Sequence, residues 1–219
     1  MRHTLRPGLA LAALLLTGVL VLGLAACGGD DDEGSSGGVG DVESVEKAFL
    51  TGMVHHHETA IEMSEIARER GQAPFIKGLA EDIASTQERE MAEMKKIYTR
   101  LLGGELKPDP MAHDGLGLSA GEAGMTHSPD TNDMLRAADP FDRAFVDEMV
   151  PHHIGAVKMA DVVLESTKDV DLRKLAEGII STQEREIEEM NGFRTEKYGG
   201  PVPEKKAGGG GEHGGGHSG

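Results

Sequence analysis

The sequence predicts an all-α fold, a four-helix bundle built from two repeated helical hairpins. Three observations predict it. The 219 residues contain no Trp, 2 Tyr and 5 Phe, too few aromatics for a usual β-sandwich or barrel core. Ala, Leu, Met, Glu and Lys, the residues helices prefer, are abundant. The chain also aligns with itself at a shift of 96 residues, so that VEKAFLTGMVHHHETAIEMSEIA (45–67) falls on FDRAFVDEMVPHHIGAVKMADVV (141–163). At the same shift ASTQEREMAEM (84–94) falls on ISTQEREIEEM (180–190), so each half is one unit of two segments.

Residues 1–26 read as a signal peptide: Arg2 and Arg6, an apolar run from Leu9 to Leu24, then Leu-Ala-Ala before Cys27. This stretch resembles a bacterial lipobox. The resemblance implies cleavage before Cys27, a diacylglycerol thioether on its sulfur, and a mature protein anchored by lipid on the extracytoplasmic side of a membrane, in the cell envelope. A plain transmembrane anchor is the alternative, but the apolar run is short for a span. Cys27 is the only cysteine, which rules out an intramolecular disulfide. Residues 27–40, rich in Gly, Ser and Asp, read as a flexible tether.

The domain is expected over 41–198, with halves 41–102 and 139–198. In the first segment Val45, Phe49, Met53, His56, Ala60, Met63 and Ala67 recur at steps of three and four. Leu79, Ile83, Glu90, Met94, Ile97 and Leu101 line one face of the second. Phe141, Phe145, Met149, His152, Ala156, Met159 and Val163 repeat the pattern in the third, and Leu172, Leu175, Ile179, Glu186, Met190 and Phe193 in the fourth. Gly71 and Pro74 break the first pair, while Gly103-Gly104 and Gly199-Gly200 end the second and fourth segments. Pro151 lies inside the third, where it removes a backbone hydrogen bond. The linker 103–138 is long enough for a crossover or a functional loop. It carries Met111, His113, Met125, His127 and Met134. A Gly/His-rich disordered tail, with His213 and His217, is expected over 199–219.

Counting from the turns places a polar layer in the bundle. His56 and His57 fall level with Gln87 and Glu90, and His152 and His153 level with Gln183 and Glu186. Met53, Met63, Met94, Met149, Met159 and Met190 flank them. Buried polar groups that lack partners cost several kcal/mol, so these must satisfy one another or a bound species. Imidazole suits copper, zinc, iron and nickel, and thioether sulfur favours Cu(I). The two His pairs are therefore candidates to anchor an ion, with the nearby methionines available to hold Cu(I). Gln87, Glu90, Gln183 and Glu186 would orient the imidazoles from behind. Weaker candidates are His55, Met94, Met190, His113 and His127. Two other readings remain open: a metal oxidase using Glu90 and Glu186, and a structural bundle whose polar layer only sets helix register. No Glu stands three residues before an interior His, as the Glu-x-x-His motif of di-iron bundles requires.

The net charge of −16 excludes a nucleic-acid partner. No nucleophile motif, phosphate loop or zinc-type Cys cluster is present, which leaves other enzyme classes without support. The expected partners are a metal ion and a membrane, with a homo-oligomer left open.

The blocks M-V-x-H-H-x-x-A-[IV]-x-M at 53–63 and 149–159, followed by Q-x-x-E-[IM]-x-x-M at 87–94 and 183–190, resemble the DUF305 family. The resemblance covers about 41–198. The first copy departs from it by carrying His55 where the second carries Pro151. The resemblance implies a ferritin-like bundle that is usually exported, with copper binding or copper tolerance through Met and His in some members, and on the matching positions it implies Met53, His56, His57, Met63, Met149, His152, His153 and Met159 as metal ligands.

Overall fold

The computed structural model describes residues 41–203. Cys27, the signal peptide, the tether and most of the Gly/His tail lie outside these residues. Among the described residues the chain is all helical: α1 (Val42–Arg70), α2 (Pro74–Leu101), α3 (Pro129–Ala137), α4 (Phe141–Ser166) and α5 (Val170–Tyr198), with a 3₁₀ turn at Ala112–Leu116. None of these helices is long and apolar enough to cross a membrane.

Three of the four long helices start where local chemistry tells them to. Asp41 accepts a hydrogen bond from Ser44 N at the start of α1, and Asp169 accepts one from Leu172 N at the start of α5. Pro74 occupies the first position of α2, where its missing N–H costs nothing. Gly199 ends α5 in the left-handed conformation, φ +81°. α4 runs through Pro151 without a break.

α1 pairs with α2 and α4 with α5, and the hairpins meet along α1–α4 and α2–α5. A polar layer divides the core into two apolar clusters. One joins Phe49 and Met53 of α1 to Met94 and Ile97 of α2, Met159 and Val163 of α4, and Ile179 of α5. The other joins Met63 and Ile66 to Ile76 and Ile83, Phe141 and Phe145, and Met190. Early α1 thus lies beside late α4, so neighbouring helices are antiparallel. Each hairpin also clasps the other hairpin's turn. Asp142 accepts hydrogen bonds from Gln72 N and Ala73 N, both 2.8 Å, and Glu46 accepts one from Thr167 Oγ1.

The antiparallel arrangement puts the end of α2 and the start of α4 at opposite ends of the bundle. The linker must therefore travel its length. Leu106, Leu116 and Ala123 pack on the first cluster, and Leu135 of α3 on the second. The expected linker therefore contains a fifth helix. Ser128-Pro129-Asp130-Thr131 supplies its start, a capping box with Pro at the first helical position. The first residues of the expected tail pack on α5. Arg194 donates to the Gly200 and Pro201 carbonyls and Val202 N donates to Asn191 Oδ1, which holds 200–202 against α5.

Candidate metal centre

The polar layer is built from α1 and α4, with α2 and α5 behind them. His56, His57, His152 and His153 are all buried, as are Gln87, Gln183 and Glu186. Glu90 is half-buried. His57, not His56, meets Glu90: its Nε2–H donates to Oε2 at 2.8 Å. His153 and Glu186 make the same contact at 2.8 Å. Each carboxylate fixes its ring and leaves Nδ1 facing away from the bond. Arg185 lies 3.3 Å from the second carboxylate, on Glu186 Oε1.

His56 and His152 come together between the hairpins. Their ring centroids are 3.6 Å apart at an interplanar angle of 37°. Each lies 6.4 Å from the other histidine of its own pair. The two pairs thus form one continuous layer, with His56 and His152 at its middle and a His–Glu bond on either side. Burial, more than any other cause, holds the pKa of both central rings well below 6.5; the neighbouring histidines add to it. Both rings are neutral at neutral pH, the state in which imidazole binds metal.

Much of this layer is unsatisfied by the protein. Both ring nitrogens of His56, Nδ1 of His57, His152 and His153, and both amide atoms of Gln87 and of Gln183 are buried without a hydrogen-bond partner. Native interiors leave few such atoms. A register device would pair its polar groups with one another. Here only the outer two histidines are paired, which leaves the inner pair as donors for something bound.

The methionines are placed symmetrically about the layer. Met53, Met94 and Met159 lie in one apolar cluster, and Met63, Met149 and Met190 in the other. All six are buried. Among the described residues no three His, Cys, Asp or Glu side chains are grouped to hold one ion. An ion here would rest on two imidazoles and draw further donors from thioether or amide. That donor set is softer than the carboxylate-rich set of a di-iron centre.

The weaker candidates separate. His113 turns into the linker, its Nδ1 3.0 Å from Leu118 O and 3.2 Å from Asp114 Oδ1. His55 and His127, in contrast, line a narrow pocket together with Met125, His56 and His152. Met125 was legible as a linker methionine but not as a neighbour of the layer, because its position depends on the path of the crossover.

The model for the family described as "Domain of unknown function (DUF305)" matches residues 46–194, the whole helical core including both His pairs. The chain belongs to the DUF305 family. Solved structures agree in fold. CopM in its Cu(I)-bound form is 32% identical, with a TM-score of 0.59 over 70% of this chain and 98% of CopM. CopM in a Cu(II)-bound form is similar to the same degree, at 31% identity and a TM-score of 0.58 over 70% of this chain and 97% of CopM. A DUF305 protein from Streptomyces coelicolor is 25% identical, with a TM-score of 0.65 over 75% of this chain and 99% of its own. An uncharacterised protein of Acanthamoeba polyphaga mimivirus is 38% identical over 56 residues. This chain spans 37% of that relative's length, so the match says little about the whole viral protein.

Proposed function

We propose that this DUF305 protein is a copper-binding lipoprotein of the cell envelope that binds and buffers the ion without catalysing a reaction. The observation that carries the reading is the buried, neutral His56–His152 pair, in which both nitrogens of His56 and Nδ1 of His152 find no partner in the protein. Copper is favoured over other imidazole-binding metals because the flanking donors are thioethers, with Met53 and Met159 on one side and Met63 and Met149 on the other. The copper- and silver-bound forms of the structurally similar CopM support the same choice. Glu90 and Glu186 hold His57 and His153 in place, and this argues against their use as the bridging ligands of an oxidase. The lipobox-like stretch before Cys27 supports anchoring in the envelope.

The test is a Cu(I) titration of the full chain against a chromophoric chelator, without a His tag and without oxygen. Replacing both central rings, His56→Leu/His152→Leu, keeps the layer helical and removes orphaned polar atoms, so the fold should survive. Cu(I) affinity at the inner site should fall at least 100-fold. An unchanged affinity in the folded variant sinks the proposal.

A further inference from the structure

The linker does more than cross the bundle. Residues 119–127 form a strap over the central histidines, and two glycines let it sit there. Gly124 has φ +66°, and a Cβ on it would stand 2.7 Å from the His152 carbonyl oxygen and 3.2 Å from His56 Nε2. Gly155 of α4 faces the strap from below, where a Cβ would stand 2.2 Å from the Ala123 carbonyl carbon and 2.3 Å from Gly124 N. Backbone hydrogen bonds tie the strap to itself, with Ala123 N donating to Ser119 O at 3.0 Å and Met125 N to Ala120 O at 2.8 Å. Its far end delivers Met125 and His127 to the mouth of the pocket, beside His55 of α1.

His127 is held in a defined orientation. Its Nε2–H donates to Asn132 Oδ1 at 3.0 Å, and Asn132 Nδ2 donates to Glu62 Oε2 at 3.0 Å. A chain from carboxylate through amide to imidazole fixes the tautomer and leaves the Nδ1 lone pair available. α3 supplies Asn132 and α1 supplies Glu62, so two elements cooperate to aim one ring. On the floor of the pocket, His56 is 1% exposed and Nε2, the nitrogen nearest the strap, has no partner. The donor that α1 adds at the mouth of the pocket, His55, has no counterpart in the second half. The position of His55 is taken by Pro151 in the second copy, where it lines a groove with Pro201 and Val202 instead.

We propose that Met125, His127 and His55 form an outer site for a soft monovalent metal ion, directly above the His56–His152 pair. The proposal deepens the copper reading and rests on it for the choice of ion. One thioether and two imidazoles from three separate segments make a donor set suited to Cu(I) or Ag(I). An ion held there lies next to the unpartnered nitrogen of His56, so the outer site is the point at which the inner pair is reached.

The experiment compares three full-length proteins in the same anaerobic Cu(I) titration against a chromophoric chelator: the unaltered chain, Met125→Ala/His127→Ala and His56→Leu/His152→Leu. The strap variant should bind one equivalent fewer than the unaltered chain, and the inner variant should keep the outer equivalent. The second readout needs no substitution: the ¹³C-labelled methyl resonance of Met125 should shift as the first equivalents of Ag(I) are added. Equal stoichiometry in the strap variant, or a stationary Met125 methyl, overturns the outer site. Inner-variant binding equal to that of the unaltered chain would instead remove the inner site and leave the outer one to be judged on the strap variant and the methyl shift.

Discussion

His56 and His152 show what burial does to a titratable side chain. Both pKa values are lowered well below 6.5, chiefly by desolvation. Below pH 6.5 the unfolded chain binds protons that the folded chain refuses, so stability is complete above 6.5 and declines as the pH falls toward the folded-state values. Each ring contributes up to about 1.4 kcal/mol per pH unit in that window. Urea unfolding of metal-free protein should therefore show a midpoint that drops between pH 7 and pH 5, and the drop should be much smaller in His56→Leu/His152→Leu. A variant with the same pH dependence as the parent would show that other groups carry the effect. The polar character of these positions was legible in the sequence, because His56, Glu90, His152 and Glu186 interrupt otherwise apolar helical stripes. The contact between His56 and His152 was not. It depends on how one hairpin docks on the other, and the repeat fixes the spacing only within each half. Counting from the turn placed the His56–His57 pair level with Gln87 and Glu90 but did not say which ring makes the bond, and it is His57.

At the scale of the element, the long helices followed from periodicity and the crossover did not. Its α3 helix has nine residues, too few to show an amphipathic period clearly, and its strongest signal is the Ser-Pro-x-Thr start. The strap was hidden for a different reason: its path is set by Gly124 and Gly155, whose close approach depends on tertiary packing. Gly155 and Gly178 are both glycines inside long helices, yet their surroundings differ. Nothing lies within 4 Å of a Cβ placed on Gly178, so Gly178→Ala should stabilise the protein by about 0.5–1 kcal/mol through helix propensity. Gly155→Ala gains the same propensity but drives a methyl into the strap backbone, and overpacking of that kind costs about 1–3 kcal/mol. Paired unfolding curves should show opposite signs or, at the least, a clear deficit for Gly155→Ala. Faster amide hydrogen exchange at 120–127 in that variant alone would locate the cost in the strap, and equal curves for the two variants would show that the strap yields freely.

At the scale of the whole molecule, the described residues 41–203 carry the donors of both proposed sites. The crossover lays the strap over the central histidines on one face of the bundle, which breaks the near-symmetry of the two hairpins. None of the described helices is long and apolar enough to cross a membrane, and the proposed attachment rests on the lipobox-like stretch before Cys27. Anchoring and metal binding should then be separable. A diacylglycerol thioether on Cys27 would contribute about 0.8 kcal/mol for each buried methylene, and two chains give stable attachment where one does not. Cys27→Ser removes the acceptor sulfur at a position outside the described bundle. In cell fractionation the unaltered protein should follow the membranes and release into detergent, while Cys27→Ser should leave the lipidated pool and lose its acyl label. Its Cu(I) affinity should match the parent's, since both proposed sites lie between residues 53 and 159. Undiminished acyl labelling of Cys27→Ser would refute the lipid anchor, and a parallel loss of Cu(I) affinity would mean that the tether takes part in the metal site.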